Sequence, residues 1–409
     1  DTFAYSAVTA FIGAAADAMY DTLSGGDGID VISISGAFTI DATDDFRRSS
    51  SVEVLAAASS SDNLNFSITL GSDALSSDLT TVNLSTNTNA SSTSNINLTA
   101  LSKGMIVEGL ANGVDTITGG TGGDTIDAND GNDLVIASVG GADRIDLDLG
   151  NDTVHFGSAL TNADTVLGSD GTDVVTYTDV NGASNELDHM TDIERVVISG
   201  SHINVKLGND NIFSATAAGS QADVTIDAAS ATGEMFFDAS IESSSQLYIL
   251  GTNDTVGGGD TLIGGSAAAG DTIMGGDGND KIRGNGGTDY IDAGTGDDTI
   301  VVKISDLMNL GANEKITIHG GNGTDVVLLE TNDTTAIFDF SEHVVFDGIE
   351  VIDYGSIDPT LVLSKSQIED NTLHSIVGTT GGGDVLSIEG SGATIDLSAR
   401  YISGVETLS

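Results

Sequence analysis

The sequence predicts an all-β protein, an elongated parallel β-solenoid with short helical loop insertions. Three observations carry that prediction. From Gly275 to Val301 the nonapeptides GGDGNDKIR, GNGGTDYID and AGTGDDTIV run in unbroken register, each with Asp at position 6 and an apolar residue at position 8. The pattern GGxGxD recurs at Gly25, Gly119, Gly275 and Gly320. Around these runs a longer unit of about 150 residues repeats, a period that marks a nested array of stacked units.

Each position of the short repeat has a physical reason. Glycine permits positive φ and a close backbone approach, so paired glycines make a tight turn. Position 8, occupied by Ile282, Ile291 and Ile300, falls in a short strand and points into a core, because alternate strand side chains face opposite ways. Degenerate copies extend the pattern: LANGVDTIT from Leu110, then GGTGGDTID and ANDGNDLVI, and after a one-residue slip LDLGNDTVH ending at His155. Turn segments of this type are expected over about 110 to 176 and 255 to 328.

The acids in these turns are candidate metal ligands. A hard cation such as Ca²⁺ takes six to eight oxygens, which carboxylates and the carbonyls of a tight turn supply. In the first turn the candidates are Gly25, Gly26, Asp27, Gly28 and Asp30. The degenerate run adds Gly113 with Asp115, then Gly119, Gly120, Gly122 and Asp124, and then Asp130, Gly131 and Asp133. Asp143 belongs to the slipped copy, followed by Gly150 with Asp152, by Asp164, and by Asp170, Gly171 and Asp173. Asp260 and Asp271 precede the central tract of Gly275, Gly276, Asp277, Gly278 and Asp280. That tract continues through Gly286, Gly287 and Asp289 to Gly296 and Asp298. A later turn contributes Gly320, Gly321, Asn322, Gly323 and Asp325, and Asp384 stands in the last one.

These nonapeptides resemble the RTX family, whose consensus is GGxGxDxUx. The resemblance implies a β-roll in which two nonapeptides make one turn. It also implies several Ca²⁺ ions between successive turns, held by the sixth-position Asp and by carbonyls of the glycine loop. The whole layout, nonapeptides interleaved with Ser/Thr-rich strand rungs, is most similar to bacterial RTX surface-layer proteins and also looks like segments of giant RTX adhesins. RTX repeats occur as well on proteases, lipases and toxins, so the repeat alone does not decide function.

Composition bounds the partners. With 12 basic and 62 acidic residues the formal net charge is −50, which excludes nucleic acid and any other polyanion. Such a chain repels itself unless cations neutralise it, so folding is expected to be coupled to metal. Disorder or halophilic solubility is the other reading of high acidity. The 39% hydrophobic content, in regular alternation, argues instead for a filled core. The chain has no Cys, so nothing rests on disulfides, and no stretch approaches the ~18 apolar residues of a membrane span. DTFAYSAVTA lacks the layout of a secretory leader. That fits the RTX resemblance, which implies type I export.

The longer unit begins at residues 1, 152 and 298, because Asp1, Thr2 and Phe3 match the nonapeptide tails at Asp152 and Asp298. Three modules follow. Residues 1–151 form the first, a strand ladder and then RTX turns from about 110; 152–297 form the second, with RTX turns from about 255; 298–409 form an incomplete third. In each, a glycine turn is followed by a strand carrying a Glu: SVEVL, DIERVVI, GIEVI and GVETL place Glu53, Glu194, Glu350 and Glu406 at one point of the plan. Three roles stand open for it: capping a turn by hydrogen bonds, completing a Ca²⁺ site, or a solvated strand-edge acid. Between Glu strand and next nonapeptides lie LNFSITL, TTVNLST and SNINLTAL in the first module and ADVTIDA, EMFFDA and QLYILG in the second. Their alternation reads as further rungs rather than a glycosylated stalk, since Pro359 is the single proline. Short helices are expected at Ala7 to Tyr20 and Ser305 to Leu310.

No catalytic constellation emerges. His155, His189, His202, His319, His343 and His374 are scattered without the pairing of an HExxH zinc site, and no GxSxG elbow occurs. Asp297 with Asp298 reads as one solvated acid beside one ligand, and Asp44 with Asp45 as a polar loop beside Arg47 and Arg48. His202 reads as a surface residue near a turn. The function expected is therefore a non-enzymatic extracellular building block at the cell surface, assembling with copies of itself into a calcium-dependent layer or filament. Cell-surface polysaccharide is a second expected partner. An adhesin extender and the tail of a secreted enzyme or toxin are the alternatives.

Overall fold

The computed structural model describes residues 1–6, 23–42, 46, 49–179, 186–207, 223–243, 245–253, 258–333, 335–356, 358–370, 372–379, 383–389, 400–405 and 407–409. The segment 7–20, the Asp44/Asp45 loop with Arg47 and Arg48, and Glu406 lie outside the described residues. Two compact units emerge, one gathering Asp1–Thr178 and Glu186–Val197, the other Ile198–Asn211 and Gly219–Ser409. Each is a parallel β-solenoid.

In the first unit one wall stacks Thr2–Tyr5, Val31–Ile34, Val54–Ala57, Thr81–Asn83, Ile106–Glu108, Thr125–Asp127, Arg144–Asp146, Thr165–Leu167 and Met190–Thr191. The opposite wall takes the intervening strands, from Phe38–Ile40 through Asn65–Thr69, Thr93–Asn97, Val114–Thr118, Leu134–Ile136 and Thr153–Gly157 to Val174–Asp179. The chain thus alternates between walls, and every recorded strand pair is parallel. The second unit repeats the plan, with Ile203–Lys206, Met235–Asp238, Thr261–Ile263, Lys281–Arg283, Thr299–Lys303 and Val326–Glu330 in one wall. Gln246–Leu250, Thr272–Asp277, Tyr290–Thr295 and Ile316–His319 face them.

Register sets the core. Ile32, Leu55, Val82, Val107, Ile126, Ile145, Val166 and Met190 are in-register partners along one wall, and all are buried. The second unit aligns Val205, Phe237, Leu262, Ile282, Ile300, Val327 and Ile352 in the same way. Each such side chain contributes roughly 1.5–3 kcal/mol of burial. A one-residue slip would turn the whole column outward, so the pattern locks the register.

The ladder segments are rungs. LNFSITL, TTVNLST, SNINLTAL, ADVTIDA, EMFFDA and QLYILG each hold a strand of a wall. A helix at Ile304–Met308 matches the one expected at Ser305 to Leu310. The Asp306 carboxylate accepts from the Lys303 amide at 2.9 Å and pairs with Arg283 at 2.9 Å. Two single-turn helices, Phe340–His343 and Lys365–Ile368, escaped the sequence reading because four residues carry no periodicity; the second is held by a Ser364/Gln367 capping box.

Candidate metal centre

The turns place one carboxylate at the foot of each strand. Sixth-position aspartates immediately precede the strands that begin at Val31, Thr125, Leu134, Arg144, Thr153, Thr165, Val174, Lys281, Tyr290, Thr299 and Val326. The side chains of Asp30, Asp115, Asp124, Asp133, Asp143, Asp152, Asp164 and Asp173 are all buried. So are those of Asp260, Asp271, Asp280, Asp289, Asp298, Asp325 and Asp384.

Stacking links these acids into columns. In the first unit the Asp115 amide donates to Asp133 Oδ1 at 2.7 Å, Asp133 to Asp152 at 2.6 Å, and Asp152 to Asp173 at 2.9 Å. The other edge runs from the Met105 amide to Asp124, then Asp143, then Asp164, each step at 2.8 Å. In the second unit Met235, Asp260, Asp280, Asp298 and Asp325 are joined at 2.8, 2.7, 2.7 and 2.9 Å. Its other edge runs from Leu247 to Asp271 to Asp289 at 2.9 and 2.8 Å. One carboxylate oxygen per turn is thereby used to hold the turn before it.

Apart from Asp143 and Asp384, the second oxygen divides these aspartates into two groups. In Asp115, Asp124, Asp164, Asp260 and Asp271 it accepts a backbone N–H of the same turn, from Leu110, Gly120, Thr161, Thr252 and Gly265 respectively. In Asp30, Asp133, Asp152, Asp173, Asp280, Asp289, Asp298 and Asp325 it is buried and has no hydrogen-bond donor. A buried acceptor without a partner is costly unless something positive meets it.

Electrostatics point the same way. Burial, opposed by the amide donors and reinforced by neighbouring carboxylates, raises Asp133 and Asp289 to about 8. Asp143, Asp173, Asp280 and Asp298 rise to about 7 for the same leading reason. Asp115, Asp152 and Asp271 rise to about 6. These values hold for the protein without cations, so the columns favour either protons or a metal.

The glycines shape the space around the carboxylates. In many of the turns position 2 is left-handed, and not only where it is glycine: φ is 93° at Gly26, 104° at Gly276 and 99° at Gly321, but also 62° at Asn129, 59° at Asp148, 70° at Ser169 and 81° at Asn285. Position 4 is left-handed at Gly28, Gly150, Gly171, Gly278, Gly287, Gly296 and Gly323. There a methyl would overlap the carbonyl of the preceding turn: Gly150 meets Gly131, Gly171 meets Gly150, Gly296 meets Gly278 and Gly323 meets Gly296. Carbonyls therefore stack beside the carboxylates, the oxygen-rich donor set a hard cation takes. Among the described residues no group of three or more His, Asp or Glu side chains gathers, so a cation here would combine few carboxylates with several carbonyls. The residues present fit calcium by their orphaned carboxylate oxygens and by the carbonyls stacked beside them.

The sequence-predicted residues divide accordingly. The sixth-position aspartates named above join the columns, and Asp384 is buried with the Thr379 amide donating to it at 2.5 Å. Gly113, Gly122 and Gly131 serve close packing with positive φ absent, and a methyl on Gly119, Gly275 or Gly320 would collide with the carboxylate of its own turn. Gly120 and Gly286 line the same loops, Gly286 left-handed at 134°. The third-position side chains Asp27, Asp170 and Asn322 are exposed and those of Asp130 and Asp277 half-buried, all outside the buried columns. Asp297 is exposed beside buried Asp298, and exposed His202 lines an outer groove with Asn204, Glu234 and Phe236.

Sequence reasoning missed the hydroxyls that serve the columns. Ser94 donates its hydroxyl to Asp115 Oδ1, and Thr252 gives both its amide and its hydroxyl to Asp260, at 2.6 and 3.1 Å. Their signal was weak, a Ser or Thr lying one rung or one loop away from an aspartate.

Two parallel walls, glycine turns at their edges and columns of buried aspartate define the class of a calcium-binding parallel β-roll. The family model of the RTX calcium-binding nonapeptide repeat matches residues 111–141, 140–154 and 267–300, in four copies. With the parallel solenoid around them, these stretches fit an RTX β-roll protein. No curated protein and no solved structure matches the chain. Among the described residues no helix is long and apolar enough to cross a membrane.

Proposed function

We propose that the chain is a non-catalytic structural protein of the cell exterior, stiffened by several calcium ions and assembling with copies of itself into a surface layer or filament. The observation that carries this reading is the set of buried aspartate oxygens without donors in the RTX turns. Asp133, Asp152, Asp173, Asp280, Asp289, Asp298 and Asp325 would hold the ions, with carbonyls of the glycine loops. Calcium supplies charge neutralisation and crosslinks between successive turns; the carboxylates and the stacked glycines supply its seat. Calcium at millimolar level is a condition of the cell exterior, and export through a type I system follows from the RTX resemblance.

Repetition supports assembly. A surface that recurs with each module lets a contact made once with a second copy recur along the chain, and contacts that do not close produce open arrays. The second reading is an adhesin extender, which shares metal and fold and differs in self-association. Calcium added to purified protein decides between them by light scattering and electron microscopy. Ordered arrays that vanish on chelation support the layer or filament; a calcium-loaded species that stays monomeric supports the extender.

A further inference from the structure

Runs of aspartate end in one shared way at Asp30, Asp173 and Asp325. The last sixth-position Asp before a ladder donates its amide not to another Asp but to a Glu: Asp30 to Glu53 at 2.8 Å, Asp173 to Glu194 at 2.7 Å, and Asp325 to Glu350 at 2.8 Å. Each Glu stands immediately before its strand, as each Asp does. Val54 pairs with Val31, and Val351 with Val326, so the Glu rung continues the register of the Asp rung below it.

The loop before the Glu is shorter than a nonapeptide turn. Two residues ahead of it stands a left-handed residue, Ser51 at φ 51°, Asp192 at 54° and Gly348 at 61°. Its carbonyl abuts the first residue of the preceding turn, Gly25, Gly168 and Gly320 respectively, where a methyl would overlap it. Inside complete turns the equivalent neighbour is a position-1 carbonyl, as Ala293 is to Gly275. Ser51, Asp192 and Gly348 therefore occupy position 1, and Glu follows at the third place instead of the sixth. The omitted residues are those whose backbone bends round a cation, position 4 among them. The extra methylene of Glu spans the shorter path, so its carboxylate arrives where the Asp carboxylate would.

Hydrogen-bond direction also changes at this rung. In a complete turn the Asp amide points forward to the next carboxylate, but the Glu amide turns back to the preceding Asp carbonyl, at 3.1 Å for Glu53, 3.2 Å for Glu194 and 3.1 Å for Glu350. Nothing acidic is then needed on the following rung. The chain can pass into plain strand rungs without leaving a donor unpaired.

We infer that these x-x-Glu turns are stop turns: the Glu is the terminal acceptor of the aspartate column and not a calcium ligand, and it sets where calcium-bearing turns give way to metal-free rungs. The inference rests on the calcium reading of the columns. It is tested in the full chain with Glu194→Gln, which keeps an acceptor oxygen and loses the charge, and Glu194→Ala, which loses both. Calcium stoichiometry is measured by titration, and hydrogen exchange of the Asp173 amide by mass spectrometry in saturating calcium. The Gln variant should match the wild type in both. The Ala variant should keep the stoichiometry but exchange at Asp173 about tenfold faster, the loss of roughly one charged hydrogen bond. A lower calcium count in the Gln variant would make Glu194 a ligand and overturn the stop turn, as would unchanged exchange in the Ala variant. Failure of the calcium reading looks different, because then the wild type itself takes up none.

Discussion

An aspartate at position 6 does two jobs with two oxygens, and the pairing of those oxygens separates ligand candidates from the rest. Asp280 and Asp289 each keep one buried oxygen without a donor, whereas Asp238 forms a salt bridge with Lys206 at 3.2 Å, and although burial is the largest single influence on it, hydrogen bonds from Ser240 and Lys206 and the Lys206 charge together lower its pKa. Asp280→Ala or Asp289→Ala should therefore lower the number of calcium ions bound, and Asp238→Ala should leave it unchanged. Titration calorimetry reads the count directly; equal losses in all three would refute the assignment. Glycine positions separate just as sharply. Gly26→Asn should stay within about 1 kcal/mol of the wild type, since Asn tolerates left-handed φ and no atom crowds that site. Gly296→Ala should cost about 2 kcal/mol or more, because strained φ adds to overlap with the Gly278 carbonyl. Denaturant midpoints with calcium present compare the two.

A column of aspartates behaves as an element with its own titration. The folded values of about 6 to 8 at Asp115, Asp133, Asp152, Asp173, Asp280, Asp289 and Asp298 lie above the ordinary 3.8. A carboxyl raised in this way favours the folded state when protonated. Its contribution is fully present below the unfolded value and is lost as pH rises through the folded one. Calcium-free protein should accordingly melt at a higher temperature at pH 5 than at pH 8. With calcium bound the trend should reverse, because the ion competes with those protons and its affinity grows with pH over the same window. A calcium-free melting temperature that is flat or rising between these values would contradict the burial of the carboxylates. At the same scale the ladder rungs bury apolar side chains such as Leu55, Phe66, Val82 and Ile96 and carry no sixth-position aspartate.

The whole molecule carries a formal charge of −50, and much of it is stacked at the spacing of adjacent strands, about 4.8 Å. Removing calcium should destabilise the chain most at pH 8, leaving it largely disordered at temperatures where the calcium-loaded protein is still folded, through repulsion between turns. Circular dichroism in excess chelator checks this, and an unchanged spectrum would show that the ladders alone suffice to hold the solenoid.

Much of this was legible in the sequence because a nonapeptide fixes its own local geometry. Glycine pairs dictate the turn, position 8 dictates the inward side chain, and position 6 dictates where the carboxylate stands, all within nine residues. The sequence by itself therefore determined the parallel solenoid, its rungs and the identity of the buried acids. Only the tertiary structure decided what depends on the neighbouring turn, about eighteen residues away in a roll of paired nonapeptides. Which carboxylate oxygen is spent on the preceding amide, which is left without a donor, and which amide Glu53, Glu194 and Glu350 each accept are all set by stacking. The reason is physical: a side chain's type is written locally, but the hydrogen-bond donors that satisfy or abandon it come from the turn above or below.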